Sequence, residues 1–332
     1  MEKGESTVES NKTIVSPSPH LKADLSVSKS MRDVIIALIP IILVTLYFNG
    51  MQALSLIAVS VVTAAVTEVV FRKIMGKQPS LADLSAVLTG LFVALVLPVA
   101  TSPIRAIIAT VIAVGIAKEL MGSLGWNRYN PALFGYVTTL LMGAWLPFME
   151  TGFQSLPALD SVSGATPLAM LTQGMEMPGY GSMLLGHGEA GSLAEASALA
   201  VIIGGLYLLY KKHINWRTPV GMIATVFIIS LIFGVDPIYA VLGGGVLFGA
   251  FFMATDWVTC PINNKGKLVF GICVGLLICI FRYALPATGG VAFSILIMNG
   301  FTPMIEKFTQ HPSFMEPRKT SEPASGGKTA SS

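Results

Sequence analysis

The chain has 332 residues, 53% of them hydrophobic and only 12% charged, with a mean hydropathy of +0.71. Soluble domains carry about 25% charged residues, and half that share cannot coat a water-facing globule of this size. A soluble enzyme, a disordered chain and a nucleic-acid binder are thereby excluded. Three cysteines further exclude a disulfide scaffold and a self-contained iron–sulfur cluster on four thiolates. The composition leaves an all-α polytopic membrane protein.

In chain order, residues 1–33 read as a polar amino-terminal segment carrying Lys3, Lys12, Lys22, Lys29 and Arg32. No apolar run followed by a small-residue cleavage site stands there, so no secretory signal is expected. A membrane domain over 34–307 follows, with about ten transmembrane helices of bilayer-compatible length. These are expected at 34–50, 53–71, 83–99, 104–121, 129–148, 192–210, 218–234, 237–255, 268–285 and 289–307. The breaks have chemical causes in Asn49-Gly50, Thr101-Ser102-Pro103, Asp236-Pro237 and Asn263-Asn264-Lys265-Gly266. Some spans are short or carry a polar residue, which leaves a count of nine open. Residues 308–332, rich in Pro, Ser, Gly and Lys, read as a disordered tail.

Loops rich in Lys and Arg stay cytoplasmic. Alternating crossings place nineteen of the 21 Lys and Arg on one side and only Arg105 and Arg282 on the other. Both termini are therefore expected in the cytoplasm. An extracytoplasmic loop over 149–191 contains no Lys or Arg and is the only long connection. Loops of that length are functional or disordered.

Within that loop stands Asp160-Ser161-Val162-Ser163-Gly164-Ala165-Thr166-Pro167-Leu168-Ala169-Met170. Ser163-Gly164-Ala165 reads as a small open turn. Thr166 occupies a helix N-cap position, with Pro167 at the favoured first helical position. A phosphate on the Thr166 hydroxyl would sit at the positive end of that helix. The bland alternative is an ordinary capped surface helix.

The Asp-x-x-Ser-Gly-Ala-Thr pattern resembles the flavinylation motif of membrane redox complexes, and the following Pro-Leu-Ala-Met resembles the version in the RnfD component of the Rnf electron-transport complex. The related B subunit of the sodium-pumping NADH:quinone reductase shares the motif. Ser16-Pro17-Ser18-Pro19-His20, the stretch from Met31 to Leu38, Tyr129-Asn130-Pro131-Ala132-Leu133, Met253-Ala254-Thr255-Asp256 and the stretch from Phe293 to Asn299 resemble the same family. The resemblance covers about Ser16 to Lys307. It implies FMN held through a phosphoester bond to Thr166 and attached outside the cytoplasm by a dedicated flavin transferase. Gly164 and Ala165 would let that transferase approach, and Asp160 would brace the turn or position a metal during transfer. It also implies assembly with other Rnf complex subunits that hold the NAD and iron–sulfur sites, in a prokaryotic inner membrane. A second, non-covalent flavin such as riboflavin between the two halves is a further implication.

Ionisable groups at membrane depth are functional candidates by default. Glu68, Asp83, Glu119 and Glu195 lie near span ends, where solvated helix termini are the expected reading. Asp256, with Thr255, is expected to shape a flavin or ion site. Arg282 either balances a flavin phosphate or an anionic semiquinone, or snorkels at a helix end. Cys260, Cys273 and Cys279 form no metal constellation and read as small buried residues. Gly245/Gly249 and Gly271/Gly275 have the spacing of close helix packing. His187 reads as an exposed loop residue, and the glycines from Gly179 to Gly186 follow no strand, so they make no dinucleotide fingerprint. Spans three to five and eight to ten each close with an apolar run that contains an Asn, Asn130 and Asn299, and five spans per half is odd, which suggests two inverted five-helix repeats.

The expected function is a membrane redox subunit passing electrons within a ferredoxin:NAD oxidoreductase coupled to Na⁺ or H⁺ movement. The protein supplies orientation and electrostatics, and the flavin the chemistry. The rivals are a cofactor-free solute or ion transporter and the quinone-reductase B subunit. Flavin absorbance of the purified chain separates the first rival, and quinone-dependent turnover the second.

Overall fold

A computed structural model describes residues 26–77, 83–122, 125–145, 179–186, 191–285 and 289–309. Among these the chain is helical throughout. No strand is present, and the one bridge outside helices pairs Pro98 with Ser192.

The helix starts follow from local chemistry. Helix α1, Val27–Ile74, is capped by Ser26, whose hydroxyl accepts from Lys29 N–H at 3.2 Å. It begins ahead of the expected boundary at residue 34. It also runs through both of the first two expected spans, broken only at Gly50 (φ 49°, ψ −128°), a conformation that glycine adopts without a Cβ penalty. Helix α2, Ser85–Val96, follows Asp83, whose carboxylate accepts from Ser85 N–H at 2.9 Å. Helix α3, Pro103–Val111, has Ser102 as cap and proline at its first position, and continues as π-helical turns over Ile112–Leu120. Asn130 caps α4, Pro131–Trp145, accepting from the N–H of Ala132 and Leu133.

After the short α5, Tyr180–Leu185, a 3-10 turn at Leu193–Ala196 leads into α6, Ala198–Tyr210. Helix α7 is Arg217–Ile232. The eighth expected span is not continuous. Asp236 caps α8, Pro237–Leu242; the chain then breaks and resumes as α9, Val246–Phe248, with π-helical turns over Gly249–Met253. Gly244 (φ 64°) and Gly245 (φ 70°) hold the break in the left-handed region. Helix α10, Asn264–Cys279, ends in π-helical turns at Ile280–Ala284, and α11 is Gly290–Thr309.

Glycine lets several of these helices touch. A methyl at Gly90 on α2 would lie 2.8 Å from Ser60 O on α1, and one at Gly275 on α10 would lie 2.7 Å from Thr225 Cβ on α7. The Gly271/Gly275 expectation of close packing therefore holds. Gly249 also packs, against Val291, but Gly245 is a turn glycine beside Glu195 rather than a packing glycine. The core joins α2 to the α9 segment: Phe92 meets Phe248 and Phe252 edge-on at centroid distances of 6.2 and 6.5 Å. The outer faces are apolar instead of charged. Leu43, Val62, Leu231 and Ile232 are all exposed, which is the arrangement of a chain whose surroundings are themselves apolar. Two helical stretches, Val27–Ile74 and Asn264–Ala284, are long and apolar enough to cross a membrane.

Candidate functional site

The flavin-motif residues Asp160, Ser163, Gly164, Ala165 and Thr166 lie outside the described residues, as does His187. The structure does show how the segment that follows them is fastened. Tyr180 at the start of α5 donates to Asp236 Oδ2 at 2.5 Å, and its ring stacks on Tyr239 with centroids 4.5 Å apart. The Tyr180 hydroxyl holds the Asp236 carboxyl below the ordinary aspartate range. The same bond pushes the Tyr180 phenol up to about 12. Ser197 Oγ donates to Leu184 O at 2.9 Å. Beyond α5, Val99 N–H donates to Gly191 O and Leu193 N–H to Leu97 O, at 3.2 and 3.1 Å. Thr45 Oγ1 donates to Leu193 O at 2.6 Å. The loop's return is thus tied to α1, to the end of α2 and to α8.

Arg282 lies at this same end of the bundle. It does not snorkel, being buried at 5% exposure. Its guanidinium donates to Ala240 O at 2.6 Å, Gly243 O at 3.0 Å and Gly244 O at 3.2 Å. These are carbonyls that the α8–α9 break takes out of helical pairing. Glu195 serves the other side of the break, accepting from Ser192 Oγ at 2.7 Å and from Gly244 N–H. The guanidinium thus holds the helix break.

Four other predicted residues do converge, at the opposite end. Asn130 Nδ2 donates to Met253 O at 3.3 Å. With its amide turned to satisfy both neighbours, Asn299 accepts from Asn130 N–H at 3.1 Å and donates to Ile295 O at 3.2 Å. Thr255 Oγ1 donates to Phe251 O at 2.6 Å, and Asp256 Oδ2 accepts from Thr259 Oγ1 at 3.1 Å. Thr302 Oγ1 closes the cluster on Thr259 O at 2.8 Å. The cluster therefore stitches α4, the end of the α9 segment and α11 together.

The expectation of solvated helix ends fails for Glu68 and Glu119. Both are buried, at 0% and 2% exposure, and so are Lys118 (2%) and Arg72 (8%). Lys118 Nζ donates to Glu68 Oε2 at 2.9 Å and to Ser85 Oγ at 2.7 Å. Arg72 Nε lies 3.2 Å from both Glu68 Oε1 and Glu119 Oε1. Two acids and two cations from α1 and the α3 π-turns thus cancel inside the protein, because a lone buried charge is far costlier than a paired one. Asp83 and Glu195 are half-buried, Asp83 accepting from Ser85 N–H and Oγ and Glu195 from Ser192 Oγ. The Glu68–Arg72 spacing of four on one helix face and the Lys118-Glu119 dyad inside an apolar run were the available signals.

Cys260 and Cys279 are buried and Cys273 half-buried, all as free thiols. Burial pushes the Cys260 thiol up to about 11, which makes it unreactive. Among the described residues no group of His, Cys, Asp and Glu is placed to hold a metal ion.

A family profile described as NQR2, RnfD, RnfE family matches residues 14–315. The chain is 41% identical over 299 residues to the D subunit of the Na(+)-translocating ferredoxin:NAD(+) oxidoreductase complex of Acetobacterium woodii, covering 89% of this chain and 93% of that one. It is 40% identical over 329 residues to the D subunit of the proton-translocating ferredoxin:NAD(+) oxidoreductase complex of Clostridium ljungdahlii, covering 93% and 98%. It is 33% identical over 338 residues to the D subunit of the ion-translocating oxidoreductase complex of Actinobacillus succinogenes, covering 88% and 95%.

Proposed function

The chain belongs to the NQR2, RnfD, RnfE family, and on that footing we propose that it is the D-type membrane subunit of an ion-translocating ferredoxin:NAD oxidoreductase, with FMN bound covalently at Thr166. The observation that carries this reading is near-full-length identity of 40–41% to two subunits of complexes so named, combined with Asp160-x-x-Ser163-Gly164-Ala165-Thr166 in this chain's outer loop. Those relatives differ in the ion they move, so the reading extends to cation translocation without choosing Na⁺ or H⁺.

The reading includes ten crossings with both termini cytoplasmic. The contacts support it by their sorting. One end of the bundle joins Asp33 to His213, Asn215 to Asn264 and Ile262 to Glu306. The other joins Thr45 to Leu193, Tyr180 to Asp236 and Arg282 to Gly243. Alternating crossings require that division. Two inverted halves are supported by a parallel: each half ends its fourth span in π-helical turns bearing a buried cation, Lys118 in one and Arg282 in the other. The cations lie toward opposite ends of the bundle, as inverted repeats demand.

When bound, FMN supplies the electron-accepting and electron-donating chemistry. The chain's own residues do the holding. Tyr180, Asp236 and the Gly191–Leu193 segment fix where the outer loop returns to the helices. Arg282 and Glu195 keep the α8–α9 break open at that end. Asn130 and Asn299 keep the two halves in register at the other, where Thr302 ties α11 to Thr259 within the second half. Other subunits of the complex supply the NAD and iron–sulfur sites, and a flavin transferase matures the loop. Replacement of Thr166 by Ala abolishes the in-gel flavin fluorescence of the denatured polypeptide. Retained fluorescence in that variant refutes the attachment site.

A further inference from the structure

The connection between α6 and α7 is a short turn over Lys211–Trp216, held rigidly from three sides. His213 Nε2 lies 2.9 Å from Asp33 Oδ2, Trp257 Nε1 donates to His213 O at 2.7 Å, and Asn215 Nδ2 donates to Asn264 Oδ1 at 3.0 Å. Lys212 sits in the left-handed region at φ 59°, a conformation that favours glycine. This framework presents Lys211, Lys212 and Arg217 together. Lys211 Nζ lies over the Tyr207 ring at 5.8 Å and Arg217 over Trp216 at 5.0 Å. Asp33, which lies near Lys211 and hydrogen-bonds His213, sets one negative charge against these three cations. The patch is therefore net cationic and edged by aromatic rings, with Tyr210 82% and Trp216 53% exposed.

An apolar stripe leads straight to it. Leu199, Ile203, Leu206 and Tyr210 are all exposed, and their spacing of four, three and four puts them on one face of α6. From Leu199 to Tyr210 the helix rises about 16 Å at 1.5 Å per residue. That equals about half the 30 Å hydrocarbon core, the depth of one leaflet. A molecule matching this surface has an acyl chain about one leaflet long and an anionic phosphate at its head.

We propose that the Lys211–Arg217 turn and the α6 stripe form a binding site for one anionic phospholipid of the cytoplasmic leaflet. The site rests on the membrane reading given above. Aromatic residues at the headgroup level and basic residues facing anionic lipid are the general chemistry of such contacts. Each cation near a charged membrane surface contributes about fivefold, which is ~1 kcal/mol.

The test uses the purified complex in vesicles of equal parts phosphatidylcholine and phosphatidylglycerol, with one of the two lipids brominated to quench nearby tryptophan. Trp216 is isolated by difference against W216F. Brominated phosphatidylglycerol quenches Trp216 well beyond its share of the lipid, and brominated phosphatidylcholine does not. In the variant K211Q/K212Q/R217Q the preference disappears, and the single K212Q weakens it about fivefold. Inorganic phosphate at millimolar concentration leaves it unchanged, because a free phosphate lacks the acyl chain. Equal quenching by both lipids overturns the inference, as does a preference that survives the triple substitution. Absence of quenching by either lipid in a complex that still floats with the vesicles means that another subunit covers the turn, and this also overturns it. A complex that does not float refutes the membrane reading instead.

Discussion

Lys118→Met is the most informative perturbation of the membrane core. It removes one of two cations from a network with two buried acids and leaves Glu68 and Glu119 sharing Arg72. Lys118 is 2% exposed and makes two short bonds, to Glu68 at 2.9 Å and to Ser85 at 2.7 Å. Breaking a buried pair by deleting one partner costs about 3–5 kcal/mol. At the shallow end of the scaling for large domains, roughly 2 °C per kcal/mol, the melting midpoint should fall by about 6–10 °C. Lys118→Met combined with Glu68→Gln removes one charge of each sign, leaves Arg72 facing Glu119, and should recover much of that loss. The coupling between the two sites is expected at about 1.5–3 kcal/mol. The assay is thermal denaturation of the purified complex in detergent, followed by the soluble fraction of this subunit. A fall below about 1 °C for Lys118→Met would place the pair among exposed salt bridges, which are worth about 0–1 kcal/mol, and would refute the argument from burial. A double variant no better than the single would refute the argument from charge balance.

Two further outcomes follow from the geometry. Asn130→Ala removes both the α4 cap and the side-chain bond to Met253 O, and should destabilise the chain by about 1–2 kcal/mol. Asn130→Asp keeps the cap, and recovers stability in the same melting assay only in so far as the cap dominates. The Tyr180–Asp236 bond sets a pH window. Asp236 is depressed, so its contribution exists above the unfolded carboxylate value and is lost as pH falls through the lower folded value. Tyr180 is raised to about 12, so its contribution exists below the ordinary phenol value and is lost as pH rises through about 12. A difference titration of tyrosinate absorbance between the native chain and Y180F should show one phenol ionising near 12; ionisation near 10 denies the bond.

Much of the framework was readable because it is local. Ser102-Pro103, Asn130-Pro131 and Asp236-Pro237 each put a capping side chain before a proline, and each opens a helix. The charge asymmetry and the apolar runs likewise depend only on neighbouring residues. The pairings were not readable, because they join residues far apart in sequence. Glu68 meets Lys118 across 50 positions, and Arg282 meets Ala240 across 42. A single acid near the end of an apolar run looks the same whether it faces water or a buried lysine. The α8–α9 break was hidden for a different reason. Gly243-Gly244-Gly245 stands inside an apolar run, and whether such glycines bend a helix or pack it depends on the guanidinium and carboxylate that meet them from elsewhere. Of the predicted site, Asn130, Asn299, Thr255 and Asp256 do gather at one end, while Arg282 serves a helix break at the other.

The central claim is that this subunit carries its own redox group on Thr166. Mass spectrometry of the tryptic peptide containing Thr166, from the complex purified out of its native membrane, tests it most directly. The account predicts that peptide with the added mass of FMN and fragment ions that place it on Thr166. Recovery of the unmodified peptide alone, from a complex active in ferredoxin-dependent NAD reduction, would contradict it.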